Sequence, residues 1–334
     1  MLASKKLPSS MGNLLNLRHL EFVVDGMPMG VKELKNLRAL SYFPVGKDGV
    51  NISALLNLKF LRGALCITGL ENVTDALHAR EANLIGKKDL DALLLEWKYD
   101  DVRNERLDRD VLDGLQPHGK LKELTVKGYS GMELSSWVGD PSFHNLVTLC
   151  LEDCKKCRCL PHLGLLPSVK HLVVKRMYGI KRVDHEFHGD RNMNHFPKLE
   201  TLQFMNMVQL EEWNPSEVEF PCLSELTIKD CPKLSGNLSG HLSSFKKLVI
   251  RNCDQMVVLL PSLQMLSKLE IRNCKEVDCR YMNVFGSQNS LVLHEISNNV
   301  TLKEAFMQGN NFEQNHGRYI SFYATNKLYG YQSN

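Results

Sequence analysis

No stretch of this 334-residue sequence approaches the roughly 18 uninterrupted apolar residues of a membrane-spanning helix, so no segment of it reads as one. The opening MLASKKLPSS has Lys5 and Lys6 but no apolar run behind them, so it does not read as a secretory signal. Neither sign of charge dominates: Lys+Arg total 41 against 38 Asp+Glu, a net +3 that gives no reason to expect bulk binding to nucleic acid or to an anionic membrane. Aromatics make up only 7% of the chain. The abundant residue is leucine, which occurs 53 times and points to one packing solution used repeatedly. With 43% hydrophobic and 24% charged residues the chain can bury a large core. These features predict a cytoplasmic protein whose ten Cys are reduced thiols, although the sequons at Asn51, Asn72, Asn237 and Asn299 leave a secreted reading open.

A Leu-x-x-Leu-x-apolar unit recurs, most fully as Leu146, Leu149, Leu151, then Leu223, Leu226, Ile228, then Leu266, Leu269, Ile271. This is the spacing of a leucine-rich repeat. With the second Leu as marker, units fall at Leu20, Leu40, Leu65, Leu93, Leu124, Leu149, Leu172, Leu202, Leu226, Leu248 and Leu269. Leu-x-Leu places two side chains on one face of a short strand, and the residue three earlier turns inward from the preceding loop. One unit cannot stand alone. Three or four buried aliphatics contribute roughly 6 to 10 kcal/mol, whereas ordering about 25 residues costs several times that. Stacked neighbours make up the difference, so the predicted fold is α/β: a leucine-rich-repeat solenoid of about eleven irregular repeats with a parallel sheet on its concave face.

Cys154, Cys231, Cys253 and Cys274 each follow a marker Leu by five residues, where the repeat takes Asn or Cys. The cluster Cys150, Cys154, Cys157 and Cys159 invites a zinc reading. The register opposes it, because Cys150 points out of the strand and Cys154 into the core. Thr74 to Lys98 has helical periodicity before the strand at Leu93 and reads as a convex helix. The predicted solenoid spans 1–302, with clear repeats over 7–276 and a degenerate last coil near 285–300. Residues 303–334, rich in Asn, Gln, Gly and Tyr, read as a disordered tail. The abrupt start, with Leu7, Leu14, Leu17 and Leu20 already in repeat spacing and no polar cap, reads as a fragment.

Several segments resemble one family. They include NLRHL from Asn16, ELKNLRALSYFPVGK from Glu33, GLENVTDALHAREANLIGKKDLDALLLEW from Gly69 to Trp97, and SSWVGDPSFHNLVTLCLEDCKKCRCLPHLG from Ser135. Further on come IKRVDHEFHGD from Ile180, LEEWNP from Leu210 and FPCLSELTIKDCPKL from Phe220. The chain resembles the repeat domain of plant intracellular immune receptors, the coiled-coil nucleotide-binding leucine-rich-repeat disease-resistance proteins. That resemblance implies a non-catalytic recognition domain. Its expected partners are a pathogen effector or guarded host protein, and the nucleotide-binding domain of the same or a related receptor. Such receptors carry a phosphate loop of the form G-x-x-x-x-G-K-[ST]. Here Gly46-Lys47, Gly86-Lys87 and Gly119-Lys120 are followed by Asp, Lys and Leu, so no cofactor is expected.

Residues between and after the inward leucines line the concave surface available to a partner. The candidates are Glu96, Trp97, Glu123, Glu152, Asp153, His171, Lys175, Arg176, Gln203, Met205, Lys229, Lys247, Arg251, Lys268 and Arg272. Their charge runs from acidic in units four to six to basic in the later units, a polarity that orients a charged partner. No catalytic or metal-binding set is expected. His185, Glu186 and His188 lack H-E-x-x-H spacing, Cys157 and Cys159 are at most mildly activated thiols, and Trp137 and Trp213 read as loop anchors. Two other readings remain at this level: the substrate-recognition repeats of a ubiquitin ligase, and a secreted repeat protein.

Overall fold

Nine marker leucines, from Leu65 to Leu269, face one another in a single parallel register: Leu65 pairs with Leu93, then Leu124, Leu149, Leu172, Leu202, Leu226, Leu248 and Leu269. They belong to a 14-stranded sheet in a computed structural model that describes residues 8–21, 26–47, 49–98, 103–183, 187, 195–213, 220–237, 246–259, 267–279, 290–296, 300–302 and 320–323. The coils between Glu123 and Lys229 each contribute a strand of five residues, such as Thr148–Glu152 or His171–Lys175, in which alternate side chains are buried. The buried leucines form one continuous core along the stack. The molecule is a leucine-rich-repeat solenoid.

The ladder extends past the last clear repeat. Ser290–Ile296 aligns Leu291 with Leu269, and Ile320–Tyr323 aligns Ile320 with Leu291. The latter strand falls within the expected tail; the rest of 303–334 lies outside the described residues. At the other end the register is broken. Leu20 and Leu40 pair in a separate two-stranded sheet, and Tyr42–Pro44 sets Phe43 opposite Ile67, so Ser41 rather than Leu40 is level with Leu65. A bulge at Gly63, where φ is +75°, lies in the pairing with the following coil, between Gly63–Leu90 and Ala64–Ala92.

Four residues after the marker, the chain turns a corner. The backbone there is left-handed at Gly69, Gly128, Asp153, Arg176, Asn206, Asp230, Asn252 and Asn273, with φ between 51° and 73°. Gly, Asn and Asp tolerate this region and most side chains do not. The corner N–H donates to the strand-end carbonyl of the next coil, as in Gly128 to Glu152, Asp153 to Lys175, Arg176 to Met205 and Asn206 to Lys229. Turning left-handed drives the next residue inward, which is why Cys154, Cys231, Cys253 and Cys274 are all fully buried. Their thiols donate to nearby carbonyls, for example Cys154 Sγ to Glu152 O at 3.4 Å and Cys253 Sγ to Arg251 O at 3.3 Å.

One coil takes the corner differently, and this corrects the placement of Trp97. Its strand, Asp89–Glu96, is followed by no left-handed residue, and Trp97 N donates to Lys127 O at 2.9 Å. The side chain thus falls on the inward side, 2% exposed, edge-on to Tyr129 at 5.5 Å between ring centroids. Trp97 is a core residue, not a concave one. Its carbonyl then crowds the next corner: a Cβ at residue 128 would lie 2.0 Å from Trp97 O, so glycine is required there.

The convex side is mostly turns and short 3-10 helices. The helix expected between Thr74 and Lys98 is present but short: α1 covers Ala76–Glu81, with the Asp75 carboxylate accepting from Leu77 N at 2.9 Å. Left-handed Asn83 and a 3-10 turn at Leu84–Gly86 carry the chain to the strand. A second helix, α2 (Glu105–Gly114), is capped by Asn104, whose side chain accepts from Arg106 N and Leu107 N. It packs on α1 at Gly114, where a Cβ would sit 3.1 Å from that of Ala79. Trp137 and Trp213 are buried, Trp137 donating to Leu112 O at 3.0 Å. In the later coils short strands also pair after the corner: Arg182–Val183 with Glu212–Trp213, Gly236–Asn237 with Met256 and Val257, and Val300–Leu302 with Val277 to Cys279.

Candidate protein-interaction face

Because the strands are in register, side chains on the concave face fall into three columns. The floor, one residue after each marker, runs Leu94, Thr125, Cys150, Val173, Gln203, Thr227, Val249, Glu270. It carries no charge before Glu270. One rim, just before the marker, runs Glu123, Thr148, His171, Thr201, Glu225, Lys247, Lys268. The other, at the strand end, runs Glu96, Lys127, Glu152, Lys175, Met205, Lys229, Arg251, Arg272. Every sequence-derived candidate except Trp97 thus lies on these columns or, for Asp153 and Arg176, at the corner beside them.

Most of these charges are satisfied by the neighbouring coil. Glu96 pairs with Lys127 at 2.6 Å, Glu152 with Lys175 at 2.7 Å and Glu225 with Lys247 at 3.1 Å. Arg176 reaches back to Glu152 and makes a forked contact with Asp153, at 2.8 and 2.9 Å. His171 and Thr201 are hydrogen-bonded at 2.9 Å. The expected step from acidic to basic is therefore bridged where it is drawn, since Glu152 and Asp153 belong to the acidic units and Lys175 and Arg176 to the basic ones. Lys229 has no ion pair among the described residues.

At the C-terminal end of the floor, Glu270 is buried beneath three cations: Arg251 at 2.5 Å, Arg272 at 2.8 Å and Lys268 at 3.7 Å. Burial works to raise its carboxyl, but the hydrogen bond from Arg251 and the surrounding positive charges outweigh that and hold it below the usual range. One carboxylate under three cations leaves this end of the face positive. A ladder of corner side chains runs alongside, from Asn273 to Asn252 at 2.7 Å and from Asn252 to Asp230 at 2.5 Å.

Cys150 is part of the floor while Cys154 lies in the core, so the two thiols diverge as the register requires. Cys157, expected to be at most mildly activated, is fully buried; its hydrogen bond with Cys154 and its burial push the thiol well above its ordinary value. His185, Glu186 and His188 lie outside the described residues. One functional-looking group had no sequence prediction: Lys87 is buried, donating to Leu55 O at 2.7 Å and Leu58 O at 3.1 Å, and burial lowers it to about 8. It anchors the end of the Ile52–Asn57 3-10 helix.

Residues 52–177 match the family model described as R13L1/DRL21 LRRs. That stretch contains α1, α2, buried Lys87 and the Trp97 corner. RPP13-like protein 1 of Arabidopsis thaliana is 34% identical over 231 residues, covering 64% of this chain and 22% of that protein. RGA1 of Solanum bulbocastanum is 32% identical over 283 residues, 83% of this chain and 28% of that one. RGA2 of the same species is 30% identical over 255 residues, 72% and 26%. All three carry disease resistance in their names.

The chain is a leucine-rich-repeat region of the plant disease-resistance type. It spans about a quarter of the length of these relatives. Among solved structures, the LRR protein LIC12759 of Leptospira interrogans aligns with this disease-resistance repeat region at 16% identity and a TM-score of 0.33, over 96% of this chain and 89% of that one.

Proposed function

We propose that this repeat region is the recognition module of a plant immune receptor, acting in the cytoplasm without catalysing a reaction. Its concave face takes a protein ligand, a pathogen effector or a guarded host protein, and its early coils pack against a nucleotide-binding domain in the resting state. The observation that supports this reading best is the concave face itself: an uncharged floor continuous from Leu94 to Val249 between two rims whose charges are already oriented by their neighbours. A surface pre-organised in this way loses little side-chain entropy on binding. Complementary fields at its positive end mainly set association rate and register. Activation is then a coupled equilibrium, in which a ligand opens the receptor only by as much as it favours the open arrangement, typically 1 to 3 kcal/mol.

The test uses Val173→Glu, Met205→Glu and Lys229→Glu together, because none of these side chains holds an ion pair that supports the sheet. A chimeric receptor carrying this repeat region is expressed in leaf tissue with candidate effectors. The expected result is loss of the effector-triggered response with the receptor still accumulating and still silent at rest. An unchanged response in the triple variant overturns the concave-face reading. Failure of the repeat region to associate with the nucleotide-binding domain overturns the restraint.

A further inference from the structure

Along most of the concave face a rim carboxylate meets a cation of the next coil, as Glu96 meets Lys127 and Glu152 meets Lys175. At the C-terminal end cations are in surplus. The concave positions and corners of the three coils from Glu225 to Asn273 hold Lys229, Lys247, Arg251, Lys268 and Arg272 against Glu225, Asp230 and Glu270. Glu225 is taken by Lys247, and Asp230 accepts from the Asn252 side chain. Glu270 organises what is left. Its side chain is only 4% exposed, whereas Arg251, Arg272 and Lys268 above it are 39%, 43% and 45% exposed. The two arginines reach in from one rim and Lys268 from the other, so three cations converge from different directions over one point of the floor. Neither guanidinium is used up: Arg251 gives Nη2 and Arg272 gives Nε to the same carboxylate oxygen, and Arg251 Nε has no acceptor among the described residues.

We propose that this cluster binds the phosphoryl group of a phosphorylated serine or threonine on the protein that lies along the concave face; the proposal rests on the reading of that face as a protein-binding surface and names the chemistry at one end of it. A carboxylate is planar and is satisfied by a single guanidinium fork, and the site already contains one. A phosphomonoester presents three terminal oxygens and a charge of about −1.5 to −2 at pH 7. It can therefore accept from both guanidinium groups and the Lys268 ammonium together, and its charge matches the surplus of five cations over three carboxylates. Arginine at both positions of one rim suits this task, because its fork fits phosphate oxygens as a lysine ammonium does not. The neighbouring floor decides between a protein and a polynucleotide. A nucleic acid carries a charge at every residue and needs cations along the whole groove, yet the floor from Leu94 to Val249 offers none.

The test measures retention on the immobilised full chain of a labelled library of extended peptides of about ten residues, long enough to cross about seven rungs of the floor. Each peptide carries one fixed phosphoserine; the controls are the same library unphosphorylated and with Glu at the fixed position. Expected are a preference of about tenfold or more for the phosphorylated library, weakening as salt rises, and loss of that preference in Arg251→Gln with Arg272→Gln. Far-UV circular dichroism verifies the fold of the variant, which leaves Glu270 with Lys268 alone. If it fails to fold, Lys268→Gln replaces it, since the Lys268 contact at 3.7 Å is the longest of the three, and it should weaken retention about threefold or more. Equal retention of the three libraries overturns the proposal, as does an equal loss for Lys198→Gln, which lies before the Thr201–Met205 strand. So does full competition by inorganic phosphate at the peptide concentration, or stronger binding of a single-stranded oligonucleotide. The two readings fail separately: a phosphate preference with an effector response unchanged in the triple variant sinks the concave-face reading, whereas a lost response without a phosphate preference sinks this site alone.

Discussion

At Gly128 two constraints coincide: φ is +72°, and an added Cβ would approach Trp97 O to 2.0 Å. Gly128→Ala is therefore expected to destabilise the chain by about 2–4 kcal/mol, measured by urea unfolding. Asp153→Gly, at an equivalent corner with no such contact, loses its ion pair with Arg176 but relieves the backbone and should cost much less. Lys87 gives a pH prediction. Its folded value of about 8 lies below the ordinary 10.5, so between those limits the unfolded chain holds a proton that the folded one has released. Stability then rises with pH across that window, and the stability of the native chain minus that of Lys87→Met should increase from pH 8 to 10.5. A flat difference would mean that Lys87 is not held as described. The marker leucines and the buried cysteines were legible because each recurs at a fixed offset. Lys87 was not, because it occupies an inward position aligned with Leu58, where the pattern anticipates an apolar side chain. Trp97 misled for a related reason, since only the absence of the usual left-handed corner decides which way it points.

At the scale of single elements, α2 depends on its cap and on one buried charge. Asn104→Ala removes the acceptor for Arg106 N and Leu107 N and should cost about 1 kcal/mol. Asp108 is buried against Arg103 and Ser130, so Asp108→Ala strands a desolvated guanidinium and should cost about 3–5 kcal/mol. Thermal unfolding of the two variants, compared with the native chain, checks the ranking. The signals for α2 are present as Asn104 followed by Leu107, Val111, Leu112 and Leu115, yet they fall within a long connector between two strong repeats, to which the repeat spacing assigns no element. The short second strands are two or three residues long, too brief for alternation to show. The ion pairs on the rims were legible in principle, because Glu96 and Lys127 share the same offset from their markers. Counting charge by unit, rather than by column, concealed that they meet.

Across the whole molecule, each coil touches its immediate neighbours, and stability is expected to behave as a sum of coils and of the contacts between them. Leu149→Ala should cost about 2–5 kcal/mol. In hydrogen exchange its effect should centre on Glu123–Lys127, Thr148–Glu152 and His171–Lys175, with Lys247–Leu259 protected as before. Uniform loss of protection would contradict that picture and indicate one all-or-none unit. The corner has a consequence for how such chains diversify. From the residue three before the marker to the one five after it, the backbone from Leu121 to Tyr129 repeats that from Leu146 to Cys154, while the stretches between are free to differ in length. A coil duplicated or deleted between two corners leaves every other hydrogen-bonding partner unchanged. Unequal crossing-over can thus lengthen or shorten the recognition wall by about 4.8 Å at a time, supplying new combinations of exposed side chains on a scaffold that need not be redesigned.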